Sequence, residues 1–363
     1  MDFDQQPFIV IWETTQACDL ACVHCRAEAQ PYALPGQLTT AEGLDLIEQV
    51  AQLGTKVLVF SGGDPLKRVD LLELIRHGKS CGLRVGTIPA ATPLLTLEVV
   101  RALKDAGLDQ MALSLDASTE EAHDGFRRVP GAFQKTMEAV AWAHEAEVPL
   151  QINTVISLYN FADMDRLIDV MPRLGIVFWE VFFLVPMGRG AHVAGLSAEQ
   201  CERVFAKLYN ASRTASFVIK VTEGLHYRRY VLQRQRREQG GPIPHALGVH
   251  WQGQGPGGSI GVSPQTVNAG KGHCFISHTG EVYPSGFLPL SVGNIRAHRL
   301  AELYRQAPLF QELRDPALLK GRCGACEFRV VCGGSRARAY AMTSDYLAED
   351  PCCAYQPLAL QVA

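Results

Sequence analysis

The chain has 363 residues, of which 47% are hydrophobic and 20% charged, and its formal net charge is −3. This length exceeds an average domain but suits one barrel with an appendage, and the near-neutral charge excludes a global basic field that would attract nucleic acid. The N-terminal segment is acidic where a secretory signal is basic, and no apolar run reaches the length of a membrane span. We therefore expect a globular, cytoplasmic protein with neither a nucleic-acid nor a membrane partner.

Short apolar runs alternate with segments of helical periodicity over the first half of the chain. The runs are rich in β-branched and aromatic residues, as strands are, and glycine or lysine closes several of the helical segments. Six strand–helix units in succession predict a parallel sheet with right-handed crossovers. The predicted strands cover residues 8–13, 56–61, 84–88, 111–116, 150–156 and 178–185, and the predicted helices cover 39–53, 67–81, 96–107, 131–147 and 160–174.

The number of units favours an α/β fold built as a partial (β/α)6 barrel, with a doubly wound sheet as the alternative. In both architectures the reactive groups lie at the C-terminal ends of the strands, where the connecting loops meet. Polar motifs occupy those ends. Cys18, Cys22 and Cys25 come after the first strand, SGGDP ends the second, SLD ends the fourth, and INT lies on the fifth. The motifs therefore lie on one rim of the predicted sheet.

The three cysteines stand at CxxxCxxC spacing, close enough to serve one metal site. A structural zinc ion takes four ligands, and His24 would have to fold back on its neighbour Cys25 to complete such a site. A catalytic zinc with three protein ligands and a water is an open alternative. A four-iron, four-sulfur cluster fits better, because three irons take thiolates and the fourth stays free for a substrate.

The triad, followed by a glycine-rich turn after the second strand, resembles the radical S-adenosylmethionine (SAM) enzymes. In that family the free iron is chelated by the amino and carboxylate groups of SAM. Two positions depart from the family pattern: an aspartate replaces the usual glutamate of the turn, and His24 stands where an aromatic residue is commonest. The resemblance implies that Cys18, Cys22 and Cys25 ligate the cluster and that Gly62, Gly63 and Asp64 receive the methionine amino group of SAM.

Further SAM contacts are implied by the same resemblance. Ser114 and Asp116 resemble the serine-x-aspartate of the fourth strand, and Asn153 suits a similar role on the fifth. HDGFRRVPGAF resembles the segment whose arginine reaches the SAM carboxylate, which makes Arg127 the candidate and Arg128 the alternative. Taken singly, such residues at strand ends are more often capping or surface groups. Their place on the rim of the cysteines favours the functional interpretation.

The C-terminal third holds a second group of cysteines, at CxxCx5C spacing and then as an adjacent pair. Four thiolates from two segments suit a zinc knuckle or a closed iron–sulfur cluster equally on spacing alone. With the first triad upstream, the group resembles the SPASM and Twitch extensions of the radical SAM family, which bind auxiliary clusters. The resemblance implies an auxiliary 4Fe–4S cluster on Cys323, Cys326, Cys332 and Cys353, with Cys352 as the alternative to Cys353.

Two positions depart from the full SPASM pattern, which ligates two auxiliary clusters. Cys274 occupies the early cysteine position, but Ser285 and Arg336 stand where two further cysteines are expected. The sequence therefore predicts two clusters in total, one for SAM and one auxiliary. Cys274 is interpreted either as a remnant of the lost cluster or as a thiol close to the active site.

The chain is expected to divide into a radical SAM barrel over residues 1–239, a glycine-rich segment over 240–272, and an auxiliary cluster domain over 273–363. The glycine-rich segment fits a mobile substrate loop and a flexible linker equally. Just before it, the arginine-rich run HYRRYVLQRQRRE is interpreted as a solvated helix face. A dock for carboxylates or for an acidic electron donor is the alternative.

The run CGGxxRxRA and the acidic-Asp-Pro segment before the last cysteines resemble the radical SAM enzymes of haem d1 and alternative haem biosynthesis. The resemblance implies reductive cleavage of SAM to a 5′-deoxyadenosyl radical, hydrogen abstraction from a tetrapyrrole side chain, and a flavodoxin- or ferredoxin-type electron donor. A radical SAM maturase of peptides or proteins is the second hypothesis, weakened because the first strand leaves no room for a preceding leader-binding domain. A non-catalytic zinc or iron–sulfur protein is the third, and it would not need the triad and the glycine turn together.

Overall fold

The computed structural model describes residues 1–239, 259–263 and 265–361. Within these residues the strands form one nine-stranded sheet that curls into a half-barrel. All neighbouring strands run parallel except the last pair, which is antiparallel. The strands are β1 (Ile9–Glu13), β2 (Val57–Ser61), β3 (Arg84–Thr87), β4 (Gln110–Ser114), β5 (Leu150–Ile156), β6 (Phe178–Phe183), β7 (Val218–Thr222), β8 (His273–Ile276) and β9 (Val282–Tyr283). Their order in the sheet is β7-β6-β5-β4-β3-β2-β1-β8-β9.

Side chains on the strands alternate between two environments, as the pleat of a strand requires. On β1, Val10 packs into the core under the helices, whereas Ile9 and Ile11 line a cavity inside the barrel. β8 pairs with β1 so that His273 lies beside Ile9 and Cys274 lies beside Val10. The alternation therefore sends Cys274 into the core and His273 into the cavity.

Helices cover the outer face of the sheet. The first, over Thr40–Gln52, begins with a capping box in which Thr39 and Glu42 each accept a hydrogen bond from the backbone N–H of the other. Its Leu46, Ile47 and Val50 are buried against the strands. No helix in the described part of the chain is both long and apolar enough to cross a membrane. The helices are α1 (Thr40–Gln52), α2 (Leu71–Ser80), α3 (Leu97–Asp105), α4 (Glu120–Arg127), α5 (Ala132–Glu145), α6 (Met164–Val170), α7 (Ala198–Ser212), α8 (Tyr227–Gln239), α9 (Leu300–Gln306), α10 (Pro308–Arg314), α11 (Gly321–Ala325) and α12 (Arg336–Thr343).

The predicted α/β partial barrel is confirmed, and the sheet is larger than predicted. All six predicted strands are present, with ends shifted by one or two residues, and the five predicted helices correspond to α1, α2, α3, α5 and α6. β7 is a further parallel strand that the prediction missed. β8 lies in the segment assigned to the auxiliary cluster domain, yet it extends the barrel sheet beside β1. The C-terminal segment therefore shares a sheet with the barrel.

The region after β9 consists of short helices and loops that dock on the barrel through buried charges. Arg338 on α12 donates to the backbone carbonyl of Glu223, which follows β7, and to the carboxylate of Asp350 at 3.1 Å. All three residues are buried. Most of the predicted glycine-rich linker or loop, residues 240–258, lies outside the described residues, so its role stays a prediction.

Candidate active site

The first three cysteines lie in the loop between β1 and α1, at the C-terminal end of the barrel. The loop is folded back on itself, with the Cys18 N–H donating to Gln30 O at 2.7 Å. Cys18 and Cys22 are buried and Cys25 is half-buried. Burial raises the pKa of the Cys18 thiol to about 12. Burial therefore favours the protonated thiol. A metal at this position would reverse that preference, because a coordinating thiol is deprotonated.

The glycine turn after β2 packs directly against the cysteine loop. The Gly63 N–H donates to Thr15 O and the Asp64 N–H donates to Ala17 O, both at 2.7 Å. A Cβ at Gly63 would lie 2.4 Å from Ala17 O, and one at Gly62 would lie 2.3 Å from Thr15 O. Gly62 also has a φ of +144°, which residues other than glycine rarely adopt. Glycine at both positions is therefore what lets the turn touch the cysteine loop.

Arg189, in the loop after β6, holds the cysteine loop from another side. Its Nε donates to Cys22 O at 2.9 Å and its Nη1 donates to Ala29 O at 3.3 Å. Its backbone N–H donates to Cys25 O at 3.0 Å. The residues predicted from the sequence do not include Arg189, although MGRG follows a barrel strand at the rim where functional groups gather.

Arg127, the last residue of α4, joins the cysteine loop to β4. It forms a buried ion pair with Asp116, and its Nη1 lies 3.5 Å from Cys22 Sγ. Asp116 also accepts a hydrogen bond from the Val155 N–H on β5 at 2.8 Å. Arg128 is exposed. The geometry therefore favours Arg127 over Arg128 as the arginine of the site.

A cavity of about 370 Å³ opens beside the cysteine loop and extends through the barrel interior. This volume is within the range of small-molecule sites in proteins. Apolar side chains of the strands and several phenylalanines form much of its wall. The predicted site residues that line it are Cys18, Cys22, Cys25, Gly62, Gly63, Ser114, Arg127 and Asn153.

The other two predicted SAM contacts, Asp64 and Asp116, are fully buried and do not line the cavity. Asp64 Oδ1 accepts from the N–H groups of Leu66 at 3.1 Å and Ala90 at 3.3 Å, and Oδ2 accepts from the Thr92 hydroxyl at 3.1 Å. Burial raises the pKa of Asp64. Both carboxylates hold parts of the rim together from behind the cavity wall.

Two histidines lie close to the triad. His24 stacks on Phe126, with ring centroids 4.5 Å apart, and burial lowers its pKa well below the ordinary value. His123 Nδ1 lies 3.2 Å from the Asp116 N–H, and burial lowers the pKa of this ring to about 4. Both rings are neutral at neutral pH, so they add no positive charge that would repel a cationic ligand bound beside the cysteine triad.

Deeper in the barrel, polar side chains on β4 to β7 form a hydrogen-bonded row. Gln110 donates to Gln151 at 2.6 Å, Gln151 donates to Glu180 at 3.0 Å, and Glu180 pairs with Lys220 at 2.9 Å. Gln151 also donates to the carbonyl oxygen of Asn153 at 2.6 Å. The amide NH2 of Asn153 is therefore the group that remains for a ligand.

The second cysteine group lines a smaller pocket between α8 and the C-terminal segments. Cys352 does not line this pocket. Its sulfur lies 3.6 Å from Leu196 O and beside the Cys201 thiol instead. The thiols that line the pocket are those of Cys323, Cys326, Cys332 and Cys353.

Hydrogen-bond donors surround these thiols. The Gly334 N–H donates to Cys332 Sγ and the Asp350 N–H donates to Cys323 Sγ, both at 3.4 Å. Arg336, which stands at a SPASM cysteine position, is buried with its Nη2 3.7 Å from Cys323 Sγ. Donors to cluster thiolates are among the features that set a cluster's reduction potential. The replacement thus places a cation beside the Cys323 thiol where the family pattern has a ligand.

Cys274 and Ser285, the other positions of the lost cluster, lie in different environments. Cys274 is fully buried in the core, and Ser285 lines the main cavity. Burial raises the pKa of the Cys274 thiol to about 12. Cys274 is therefore a core residue, and the interpretation as a thiol in the active site is not supported.

The first turn of α8 carries buried arginines, whereas Arg236 and Arg237 in its last turn are exposed, so the predicted solvated face is present only at the end of the helix. Arg229 pairs with Glu202 on α7. Arg228 donates to Val331 O at 3.2 Å and to Val267 O, and it lines the main cavity. Arg228 makes no ion pair with a described residue, although the Glu223 carboxylate acts on its charge, so a cation without a direct ionic partner faces the cavity.

Known proteins resemble this chain in sequence and in fold. Residues 12–171 match the Radical SAM superfamily, and residues 268–327 match the SPASM iron-sulfur cluster-binding domain. The AdoMet-dependent heme synthase of Methanosarcina barkeri is 39% identical over 351 residues, which cover 97% of each chain. The chain belongs to the radical SAM superfamily and carries a SPASM extension. Within that superfamily it is closely related to the AdoMet-dependent heme synthases.

Further relatives are similar over nearly the whole chain. The AdoMet-dependent heme synthase of Oleidesulfovibrio alaskensis is 39% identical, covering 96% of this chain and 87% of that protein. The Fe-coproporphyrin III synthase of Methanosarcina barkeri is 29% identical, covering 96% and 88%. Among solved structures, Streptococcus suis SuiB bound to precursor peptide SuiA matches with a TM-score of 0.72 at 16% identity, covering 97% and 76%. Native anSMEcpe with bound AdoMet matches with a TM-score of 0.67 at 16% identity, covering 95% and 93%. At these identities the two structures share the fold alone.

SAM, a SAM-binding 4Fe–4S cluster and an auxiliary iron–sulfur cluster are the cofactors of this enzyme. The residues fit them, since each cysteine group lines a pocket. Among the described residues, no three His, Cys, Asp or Glu side chains converge as ligands of a single metal ion do. In a four-iron cluster each thiolate binds a different iron, so its sulfurs lie farther apart than around one ion. The family assignment decides against the zinc and non-catalytic alternatives.

Proposed function

We propose that this radical SAM enzyme modifies a side chain of a tetrapyrrole of the haem-precursor type. The observation that carries the proposal is the 39% identity to an AdoMet-dependent heme synthase over 97% of both chains. The cavity supports it, because aromatic and apolar walls with cations among them suit a flat macrocycle that bears carboxylates. When bound, the cluster and SAM supply a 5′-deoxyadenosyl radical that removes a hydrogen atom from the substrate.

The protein's own part is to hold the cofactors and to seal the cavity. Backbone groups of the glycine turn would receive the methionine amino group, and the Arg127 guanidinium would face the SAM carboxylate. Asp64 and Asp116 would act through the loops that they hold. The proposed ligands of the SAM-binding cluster are Cys18, Cys22 and Cys25. The proposed SAM contacts are Gly62, Gly63, Ser114, Arg127 and Asn153, because Asp64 and Asp116 do not line the cavity.

We assign the auxiliary 4Fe–4S cluster to the four thiols that share the second pocket. Four cysteine ligands leave no open position for a substrate, which favours electron transfer over substrate binding at this site. A flavodoxin- or ferredoxin-type protein is the proposed electron donor for the enzyme. The proposed ligands are Cys323, Cys326, Cys332 and Cys353.

Arg228 is the proposed contact for a substrate carboxylate. The other cations that line the cavity, Arg26, Arg127 and Lys220, each pair with an acidic residue of the chain. Burial lowers the pKa of Arg228 to about 10, so the side chain stays charged at neutral pH. A carboxylate supplied by the substrate would offset the cost of burying that charge.

The test is SAM turnover in the presence of iron coproporphyrin III, since the synthase of that compound is among the relatives. Anaerobically reconstituted protein is reduced with dithionite, and 5′-deoxyadenosine and the mass of the porphyrin are followed by mass spectrometry. We expect 5′-deoxyadenosine to increase with added porphyrin and the porphyrin mass to change. A variant with Cys18, Cys22 and Cys25 changed to alanine should form neither product, whereas Cys81→Ala should behave as the wild type.

Peptide modification is the competing outcome of this test. If the wild type cleaves SAM but leaves the porphyrin unchanged, the tetrapyrrole proposal is wrong. Peptide substrates should then be screened with the same 5′-deoxyadenosine assay. Absence of SAM cleavage in the wild type and in the Cys81→Ala control would contradict the assignment of the cysteine triad itself.

A further inference from the structure

We propose that His273 binds the iron of an iron-porphyrin substrate through its Nε2 atom, as an axial ligand. The inference rests on the proposed function, since it requires a metallated tetrapyrrole in the cavity. It adds a substrate-binding residue from β8, outside the cysteine motifs and the SAM-binding rim.

The position of His273 follows from the register of β8. His273 pairs with Ile9 on β1, and both side chains line the cavity, whereas the next residue, Cys274, points into the core. Ile9 is the first residue of its strand and the cysteine loop follows the last, so His273 lies at the far end of the cavity from the triad. A substrate held there would occupy the barrel interior, below the SAM-binding rim.

The hydrogen bonding of His273 leaves one nitrogen free to bind a metal. Nδ1 lies 3.1 Å from Pro284 O, and a carbonyl oxygen can only accept, so Nδ1 carries the hydrogen and Nε2 carries the lone pair. Nε2 has no hydrogen-bond partner within the described residues. Metal-binding histidines characteristically donate their other N–H to a carbonyl or carboxylate in this way. Burial lowers the pKa of His273 to about 4, which keeps the ring neutral and able to ligate.

The two other histidines that line the cavity are less suited to this role. The Asp116 N–H donates to His123 Nδ1, so the remaining nitrogen of His123 carries a hydrogen and no lone pair. His24 lies in the cysteine loop itself, and its ring is stacked face to face on that of Phe126 from α4. The geometry thus singles out His273 among the histidines that line the cavity in the described residues.

The surroundings of His273 suit an iron macrocycle. Phe275 follows on the same face of β8, and Phe178 lines the cavity from β6, so flat apolar surface lies near the imidazole. Glu180 and Lys220 are the charged side chains that act on the ring from β6 and β7. These two side chains form an ion pair with each other, so the neutral imidazole of His273 is the group on this wall that can bind the iron.

The test measures the iron–imidazole bond directly in the holoenzyme without SAM. Iron coproporphyrin III is added anaerobically, reduced to the ferrous state, and its resonance Raman spectrum is recorded with excitation in the porphyrin Soret band. We expect an iron–imidazole stretching band that shifts when the protein carries ¹⁵N-histidine. The band should be absent in His273→Gln, and added imidazole should restore it in His273→Ala.

Affinity provides a second readout. His273→Gln should weaken binding of iron coproporphyrin III at least about tenfold, as loss of groups around metal ligands does. Binding of metal-free coproporphyrin III should not change, which also shows that the variant is folded. His298→Gln, at an exposed histidine, is the matched control and should resemble the wild type in both measurements.

The outcomes separate this inference from the proposed function. If the wild type converts the iron porphyrin but shows no iron–imidazole band, or if the band survives in His273→Gln, the ligand assignment is wrong and the function stands. If the wild type neither binds nor converts the iron porphyrin, the proposed function and the ligand assignment both fail.

Discussion

Replacing Gly63 by alanine tests whether the glycine turn positions the cysteine loop. The new Cβ would lie 2.4 Å from Ala17 O and 2.7 Å from Gln16 O, where ordinary contact begins at 3.4 Å. Both atoms belong to the backbone and cannot rotate away, so the loop must retreat by about 1 Å. A shift of that size strains two hydrogen bonds of 2.7 Å, from Gly63 N–H and from Asp64 N–H, each worth about 1 kcal/mol net.

Loss of activity should exceed loss of stability. A displacement of about 1 Å in a positioned group can lower the rate about 100-fold. We therefore expect Gly63→Ala to form 5′-deoxyadenosine about 100-fold more slowly than the wild type under dithionite. Iron analysis and the electron paramagnetic resonance (EPR) signal of the reduced cluster, with and without SAM, will show whether the cluster is lost or only displaced from SAM.

Gly195→Ala is the matched control, because a Cβ there meets no atom within 4 Å and its φ is not positive. This variant should keep the wild-type rate. A Gly63→Ala enzyme with SAM cleavage close to that of the wild type would refute the argument, since the contact would then be relieved without moving the cysteines.

Three further predictions concern the two cysteine groups. Cys353→Ser should remove the auxiliary cluster and lower bound iron by about half, whereas Cys352→Ser should keep the wild-type iron content; the reverse result would exchange the two assignments. Arg189→Met should lose hydrogen bonds from a charged group to two carbonyls of the cysteine loop, each worth about 1.5–3 kcal/mol, and a chelator should strip its iron faster than from the wild type. Arg127→Met should cost about 3–5 kcal/mol in denaturant unfolding, because it leaves Asp116 buried and unpaired, and adding Asp116→Asn should recover part of that loss; equal stabilities of the single and double variants would contradict the pairing.

The barrel strands that could be predicted are those with apolar residues on both faces. β1 to β6 are covered by helices outside and face a largely apolar cavity inside, so each is visible as a short apolar run. On β7, Lys220 and Thr222 face the cavity, where both bond to Glu180. β4 to β6 contribute to the same polar row, but they belong to the predicted strand–helix alternation, whereas β7 follows the last predicted element and was missed.

The place of β8 could not be predicted for a different reason. Its partner is β1, so the pairing of Ile9 with His273 joins two segments that lie far apart in the sequence. No local pattern specifies which strand a distant segment will join. The consequence is large, because this pairing brings His273 into the cavity and buries Cys274, which the motif pattern alone had associated with a metal site.

The two cysteine groups were the easiest part of the candidate site to find in the sequence, because metal chemistry restricts both residue type and spacing. The residues that hold the ligands were harder. Arg189 binds backbone carbonyls, and an interaction with carbonyls places no requirement on the side chains of the loop it holds. Asp64 and Asp116 were found by their motifs, yet only the structure shows that they bond to the chain behind the cavity wall.

The segment that joins β7 to α8 connects the active site with the auxiliary pocket. Glu223 lines the main cavity and also accepts from the Ser335 hydroxyl, close to the second cysteine group. Arg228 lines the same cavity and donates to Val331 O, the carbonyl just before Cys332. Because both contacts are buried, the auxiliary pocket is held at a fixed place relative to the cavity. A fixed separation suits the transfer of an electron between substrate and auxiliary cluster, and it favours that role for the cluster in the proposed reaction.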